Sequence, residues 1–283
     1  MNVSQLRFSR RPIAAIAVLV GVVSLAIGAH AALNKRALDA AKAITTERST
    51  DAAHLGSRIA LVIGNGNYPD ASAPLAQPIN DARALTASLR RSGFDVDVIE
   101  DASKDDMARA IERLKSKIRK DSVVMLFFGG YGVQAGRESY MIPVDATIWK
   151  EADVRRDGVS IESVLEVMKA NGARAKLAVI DASRRNPYER RFRAFSHGLA
   201  PINAPDNALI LSSATPGKVA YDGHGEHSVL IAELLNNIDA HAGAESAFNK
   251  TRVAISRASD GEQVPSVSSS LLDDVRFNEN AGG

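Results

Sequence analysis

The segment KLAVIDASRRNPYERRFR (176–193) runs an apolar stretch into a polar loop, and the oxygen nucleophile it presents there is Ser183. Asp181 stands two residues before it, and Arg184, Arg185, Arg190, Arg191 and Arg193 follow. A serine hydroxyl attacks a carbonyl only when a positioned base takes its proton. His197, His224 and His227 lie in loops able to fold over the same edge; the plainer alternative is that they face solvent. His224 sits in a literal Gly-His-Gly, but no apolar strand precedes it. The chain contains no cysteine, which excludes disulfides, thiolate metal sites and a cysteine nucleophile. Ser183 is either a nucleophile or the mark of a site that has lost one.

The elements that must position these groups alternate from Arg58 onward. RIALVIG (58–64) and SVVMLFF (122–128) are short apolar runs of the kind that form buried strands, as are 176–182 and NALILSS (207–213). FDVDVIE (94–100) alternates apolar and polar, as a strand near a sheet edge does. Between them lie amphipathic helices. One is NDARALTASLRRSG (80–93), stopped by Gly93; another begins at 101–103 and keeps Met107, Ile111, Leu114 and Ile118 on one face. Further helices are expected near 160–170, 228–238 and 245–258. Strands alternating with helices predict an α/β fold, a mostly parallel sheet with helices on both faces. Sites in such sheets lie beyond the carboxyl ends of the strands. Those ends are Gly64–Tyr68, Gly129–Gly132, Asp181–Arg185 and Ser212–Thr215.

Composition narrows the function classes. With 283 residues and 45% hydrophobic content, the chain buries a full core. The 35 basic and 33 acidic side chains nearly balance, so the chain has no basic excess of the kind that marks a nucleic-acid binder. At the N-terminus, Arg7, Arg10 and Arg11 precede a long apolar run, and Ala29-His30-Ala31 fits the small-x-small pattern of a cleavage site. Residues 1–31 are therefore read as a signal peptide or an uncleaved membrane anchor, with the rest of the chain exported to the periplasmic side. Residues 32–56 are read as an alanine-rich, charged stalk, residues 57–278 as the domain and residues 279–283 as a tail.

Six ordered segments carry a resemblance: RIALVIGNGNY, PINDARALTASLRRSGFDV, FFGGYGVQAGRESYMIPVDA, VIDASRRNP, SSATPGKVAYDGHGEHSVLIAELL and EQVPSVSSSL. Together they resemble the bacterial branch of the caspase and metacaspase family, the caspase-like cysteine peptidases of orthocaspase type. The resemblance implies a caspase-like sheet. It also implies that one strand ends in a Gly-His-Gly that supplies a catalytic histidine and another in an Asp-Ala-Cys that supplies a nucleophilic cysteine. At those positions the chain reads Gly130-Tyr131-Gly132 and Asp181-Ala182-Ser183. Both catalytic residues are replaced, and Tyr131 with Ser183 forms a degenerate dyad.

The resemblance further implies an acidic pocket for a substrate Arg or Lys, lined by Asp81 and Asp181, with Asp222 of the neighbouring Asp222-Gly223 loop as a third substrate-binding residue. The alternative is that Asp81 caps its own helix and Asp181 bonds loop amides. Acids implied as a calcium site are scattered at Asp145, Asp153 and Asp157, so no metal or other cofactor is expected. The arginines of 184–193 are either a solvated loop or a contact, including an arginine resting in the chain's own acidic pocket. Two functions follow from this sequence. One is an inactive caspase-fold module that binds basic peptide segments or a protein partner. The other is a hydrolase, a weak Arg/Lys-directed peptidase or one dependent on Ser183.

Overall fold

Strands β1 (Arg58–Gly64), β3 (Val123–Gly129), β7 (Ala175–Asp181) and β8 (Ala208–Ser212) are apolar along nearly their whole length because both of their faces are covered. The computed structural model describes residues 57–69, 74–188, 190–191, 198–221, 223, 225–238 and 243–277. The expected signal or anchor segment, the stalk and the tail lie outside the described residues, as do Arg193, His197, Asp222 and His224. Among the described residues, no helix is long and apolar enough to cross a membrane.

The main sheet has the order β2-β1-β3-β7-β8-β9. Its first five strands pair in parallel, as the alternating pattern predicts. β2 (Asp95–Glu100) is the edge strand expected there, and its outward Asp95 and Asp97 pair with Lys117 and Arg113 of the next helix. β9 (Ser266–Ser269) joins the far edge antiparallel to β8.

Alternate residues of each strand feed two cores. Ala60, Val62, Met125, Phe127, Leu177 and Val179 pack under helices α1 (Pro78–Arg91), α5 (Val229–Ile238) and α6 (Ala244–Ala258). Ile59, Leu61, Ile63, Leu126, Phe128 and Ile180 pack under α2 (Lys104–Lys117) and α4 (Ile161–Ala170). The helix starting near 101 begins at Lys104. Ser103 and Asp106 form a capping box that satisfies its first amides. A Cβ on Gly64 would lie 2.5 Å from the Pro78 carbonyl oxygen, so only glycine lets the start of α1 lie this close to the end of β1.

A second, antiparallel sheet has the order β4-β5-β6, from β4 (Gly132–Ala135), β5 (Glu138–Met141) and β6 (Val159–Ser160). It is preceded on β6's side by the short helix α3 (Glu151–Asp157). This sheet grows directly out of the Gly130–Gly132 loop. It fixes that loop through the Ile142 N–H, which donates to the Tyr131 carbonyl at 3.0 Å.

Candidate functional site

Gly129 is the register partner of Asp181, at the carboxyl ends of β3 and β7. Pairing continues past both ends: the Gly130 N–H donates to the Asp181 carbonyl (3.3 Å) and the Gly132 N–H to that of Ala182 (3.2 Å). The backbones of Tyr131 and Ser183 therefore run side by side, at the edge where the sequence places them. A Cβ on Gly132 would lie 2.8 Å from the Ala182 carbonyl oxygen, which is why the second glycine of this loop has no substitute.

Tyr131 belongs to an aromatic cluster with Tyr68, Tyr140 and Tyr188. Its ring meets that of Tyr68 edge to face, with centroids 4.9 Å apart. The Tyr68 hydroxyl accepts the Tyr131 N–H (3.0 Å) and donates to the Ile142 carbonyl (3.0 Å). Burial pushes the Tyr68 phenol well above its ordinary range, so it stays protonated and keeps donating. Tyr68 carries no motif of its own. The signal available in sequence was its place just past the end of β1, at the sheet edge where sites gather.

Ser183 is 1% exposed. Its N–H donates to Ser213 Oγ (3.3 Å) and its carbonyl accepts from the Ala220 N–H (2.7 Å). Gln263 buttresses this arrangement, donating to the Ser213 carbonyl at 3.0 Å and accepting from the Tyr221 N–H at 3.3 Å. Ser213 and Gln263 both lie within segments that carry the resemblance, yet neither shows a chemical signature in sequence.

Asp81 is fully buried and does not cap its own helix. Gln77 occupies the N-cap of α1 and makes no side-chain capping bond. Asp81 reaches instead to the start of α5, where its carboxylate accepts the Ser228 N–H at 3.1 and 3.3 Å. Ser228 in turn accepts the Ile231 N–H through its hydroxyl (3.2 Å), the pattern of an N-cap. His227 Nδ1 lies 3.0 Å from Asp81 Oδ1, so this imidazole is not simply a solvent-facing loop group. Gln77 holds the same loop through the Gly223 and Gly225 carbonyls, at 2.6 and 3.1 Å. Burial first, and the charge of Asp181 second, raise the Asp81 carboxyl to about 6, against the pull of its Ser228 and His227 bonds.

Asp181 is the common neighbour. Its charge is felt by Asp81 on one side, and Arg184 pairs with it on the other, Nη2 to Oδ2 at 3.7 Å. Arg184 is 4% exposed, and its Nη1 also donates to the carbonyls of Gly130 (2.9 Å) and Asp181. The loop is thus not uniformly solvated. Arg185 and Arg190 are exposed, whereas Arg191 stacks over the Trp149 ring at 4.3 Å and donates to the Ile148 carbonyl. Arg184 is the arginine that the sequence allowed to rest against the chain's own acids. Among the described residues, no group donates a hydrogen bond to Asp181 Oδ2.

Of the remaining acids, Asp145 is engaged by itself, while Asp153 and Asp157 share one arginine. Asp145 accepts the Lys104 N–H, Asp153 accepts the Trp149 and Lys150 N–H groups and pairs with Arg156, and Asp157 pairs with that same arginine.

A mostly parallel sheet clothed on both faces, with paired loops at its carboxyl edge and a buried acidic couple beside them, defines the class. The caspase domain family matches residues 57–276, and the chain belongs to that family. It is similar to human mucosa-associated lymphoid tissue lymphoma translocation protein 1, with 27% identity over 144 residues, 50% of this chain and 17% of the human protein. The mouse homologue matches at 27% over 133 residues, 47% of this chain and 16% of its own length. The chain thus covers less than a fifth of either relative. Among solved structures, the crystal structure of protein GSU0716 from Geobacter sulfurreducens aligns with a TM-score of 0.58 and 14% identity. That alignment covers 78% of this chain and 98% of the other, a likeness of fold.

Proposed function

We propose that this caspase-fold domain has given up covalent chemistry and serves as a binding module for a basic peptide segment, with Asp81 and Asp181 as the recognising carboxylates. The single observation that carries this is the buried acidic couple beside Ser183, one of whose oxygens lacks a hydrogen bond. Two buried carboxylates in one place are costly unless a cation meets them, and a guanidinium pairs with carboxylates through two parallel bonds.

The dyad positions support loss of catalysis. A cysteine thiol titrates near about 8.5 and supplies a thiolate readily. A serine hydroxyl does not, and the group beside it is Tyr131, a phenol with a reference pKa of about 10. That ring is packed into an aromatic cluster, and the described histidine on this edge, His227, is spent on Asp81. Losing nucleophile and base together costs on the order of a millionfold in a serine protease.

Export is part of the same proposal: the arginines and apolar run before residue 31 would place the domain outside the cytoplasm, released or tethered. The mass of the protein's N-terminus distinguishes the two, with Ala32 first if cleaved and Met1 or Asn2 first if tethered.

The test is a calorimetric titration with an arginine-containing peptide and its Gln counterpart. The arginine peptide should bind in the micromolar range or more weakly, since one or two charge-assisted pairs rarely achieve more after ordering costs. Equal affinity for both peptides, or none for either, sinks the recognition proposal. Cleavage of the peptide that disappears in Ser183→Ala would instead establish a Ser183-dependent hydrolase.

A further inference from the structure

We propose that Arg184 is the resident occupant of the acidic site, so that an external guanidinium binds by displacing it. This rests on the reading of Asp81 and Asp181 as recognition groups and adds how access to them is governed.

Three observations point the same way. First, Arg184 has the chemistry of the expected ligand and is held where such a ligand would pair, against the Asp181 carboxylate and the Gly130 carbonyl. Its burial is nearly complete, which is rare for arginine unless it is paired. Second, the fit is loose. The guanidinium stands 3.7 Å from Asp181 Oδ2, and that oxygen has no hydrogen bond. Charge-assisted N–H···O bonds close to about 2.7–2.9 Å when geometry permits. Arg184 lies only three residues from Asp181 in the chain and its Nη1 is committed to two carbonyls, which limits how closely Nη2 can approach the carboxylate. An untethered guanidinium is free of that constraint.

Third, the local charges are unbalanced. Among the described residues, the groups facing one another here are Asp81 from α1, Asp181 from β7, Arg184 from the loop after it and His227 from the loop before α5. Two carboxylates thus meet one full-time cation among the described residues. The rest of the compensation comes from bonds to Ser228 and His227, and Asp81 retains a proton further up the pH scale than a free carboxyl does.

An internal occupant taxes every external ligand. If the site is vacated in about 1–10% of molecules, apparent affinity is lowered by about ten- to a hundredfold, and removing the occupant restores it. The experiment titrates N-acetyl-arginine amide, with its neutral citrulline analogue as control, into the full-length chain and into Arg184→Ala. The variant should bind at least about tenfold more tightly than the wild type. Citrulline should not follow, and Asp181→Asn in the variant background should abolish the gain.

Equal, measurable affinity in wild type and variant would overturn the displacement proposal while leaving the acidic pocket standing. No binding by either folded protein would remove the pocket itself, and the displacement proposal with it. Should Arg184→Ala fail to fold, Arg184→Gln answers the same question, because it removes the charge while keeping more of the buried side chain in place.

Discussion

Asp81 and Ser228, 147 residues apart in sequence, are joined by a carboxylate that accepts the first free amide of α5 at 3.1 Å. A negative charge at a helix N-terminus is favourable, yet this one is fully buried beside a second carboxylate, and the opposing influences leave its carboxyl raised to about 6. A raised carboxyl favours the protonated form in the fold. The associated stability is therefore complete below the unfolded value near pH 4 and is lost as the pH climbs through about 6. Asp81→Asn does not titrate. Its unfolding free energy relative to the wild type should rise by about 1–3 kcal/mol between about pH 4 and pH 7, read from urea denaturation. A difference that stays flat over this interval would contradict the assignment.

Tyr68 is expected to be a keystone through a single atom. Its hydroxyl serves the Tyr131 N–H and the Ile142 carbonyl at once, at 3.0 Å each. Tyr68→Phe keeps the ring and the edge-to-face contact but removes the acceptor of the buried Tyr131 N–H, while the Ile142 carbonyl keeps only its bond from Asn65 Nδ2 at 3.2 Å. The loss should be about 1–3 kcal/mol by denaturant unfolding, well beyond that of a surface substitution. A change under about 0.5 kcal/mol would show that water or a backbone shift replaces the hydroxyl.

Restoring the family's catalytic pair tests how far the site has drifted. Tyr131→His withdraws a ring from the cluster with Tyr68 and should destabilise the domain by about 1–3 kcal/mol. Neither Tyr131→His nor Ser183→Cys alone should cleave a peptide after arginine, since base and nucleophile act as a unit. Activity in either single variant, measured with a fluorogenic arginine substrate, would refute the dyad assignment. The double variant reports on geometry: turnover in it requires the Tyr131 and Ser183 loops to hold the reacting atoms in attack position.

The central strands were legible because β1, β3, β7 and β8 are buried on both faces and leave unbroken apolar runs. The same logic placed Tyr131 and Ser183 at one edge. β4, β5 and β6 were not legible: each has four residues or fewer, and Gln134, Glu138 and Ser160 interrupt any pattern. Asp81 was named from the family resemblance, but its bond to Ser228 crosses most of the domain and has no local trace beyond a serine ahead of VLIAELL. Arg184 differs from its four neighbouring arginines only in following a buried strand directly. Its burial is a tertiary fact that composition cannot separate from theirs.

The two acids of the couple are unequally bound to the architecture. The Asp81 side chain fastens α1 to the beginning of α5, while that of Asp181 has one loose ion pair, at an oxygen that accepts no hydrogen bond among the described residues. Over evolutionary time, replacement of Asp81 is screened by folding before any ligand enters the matter. On the proposed reading, Asp181 is screened chiefly by the ligand it would recognise. Within a lineage of such domains, an aspartate kept at position 81 is thus an uninformative character. The moment of abandonment, if recognition is ever given up, is written at position 181.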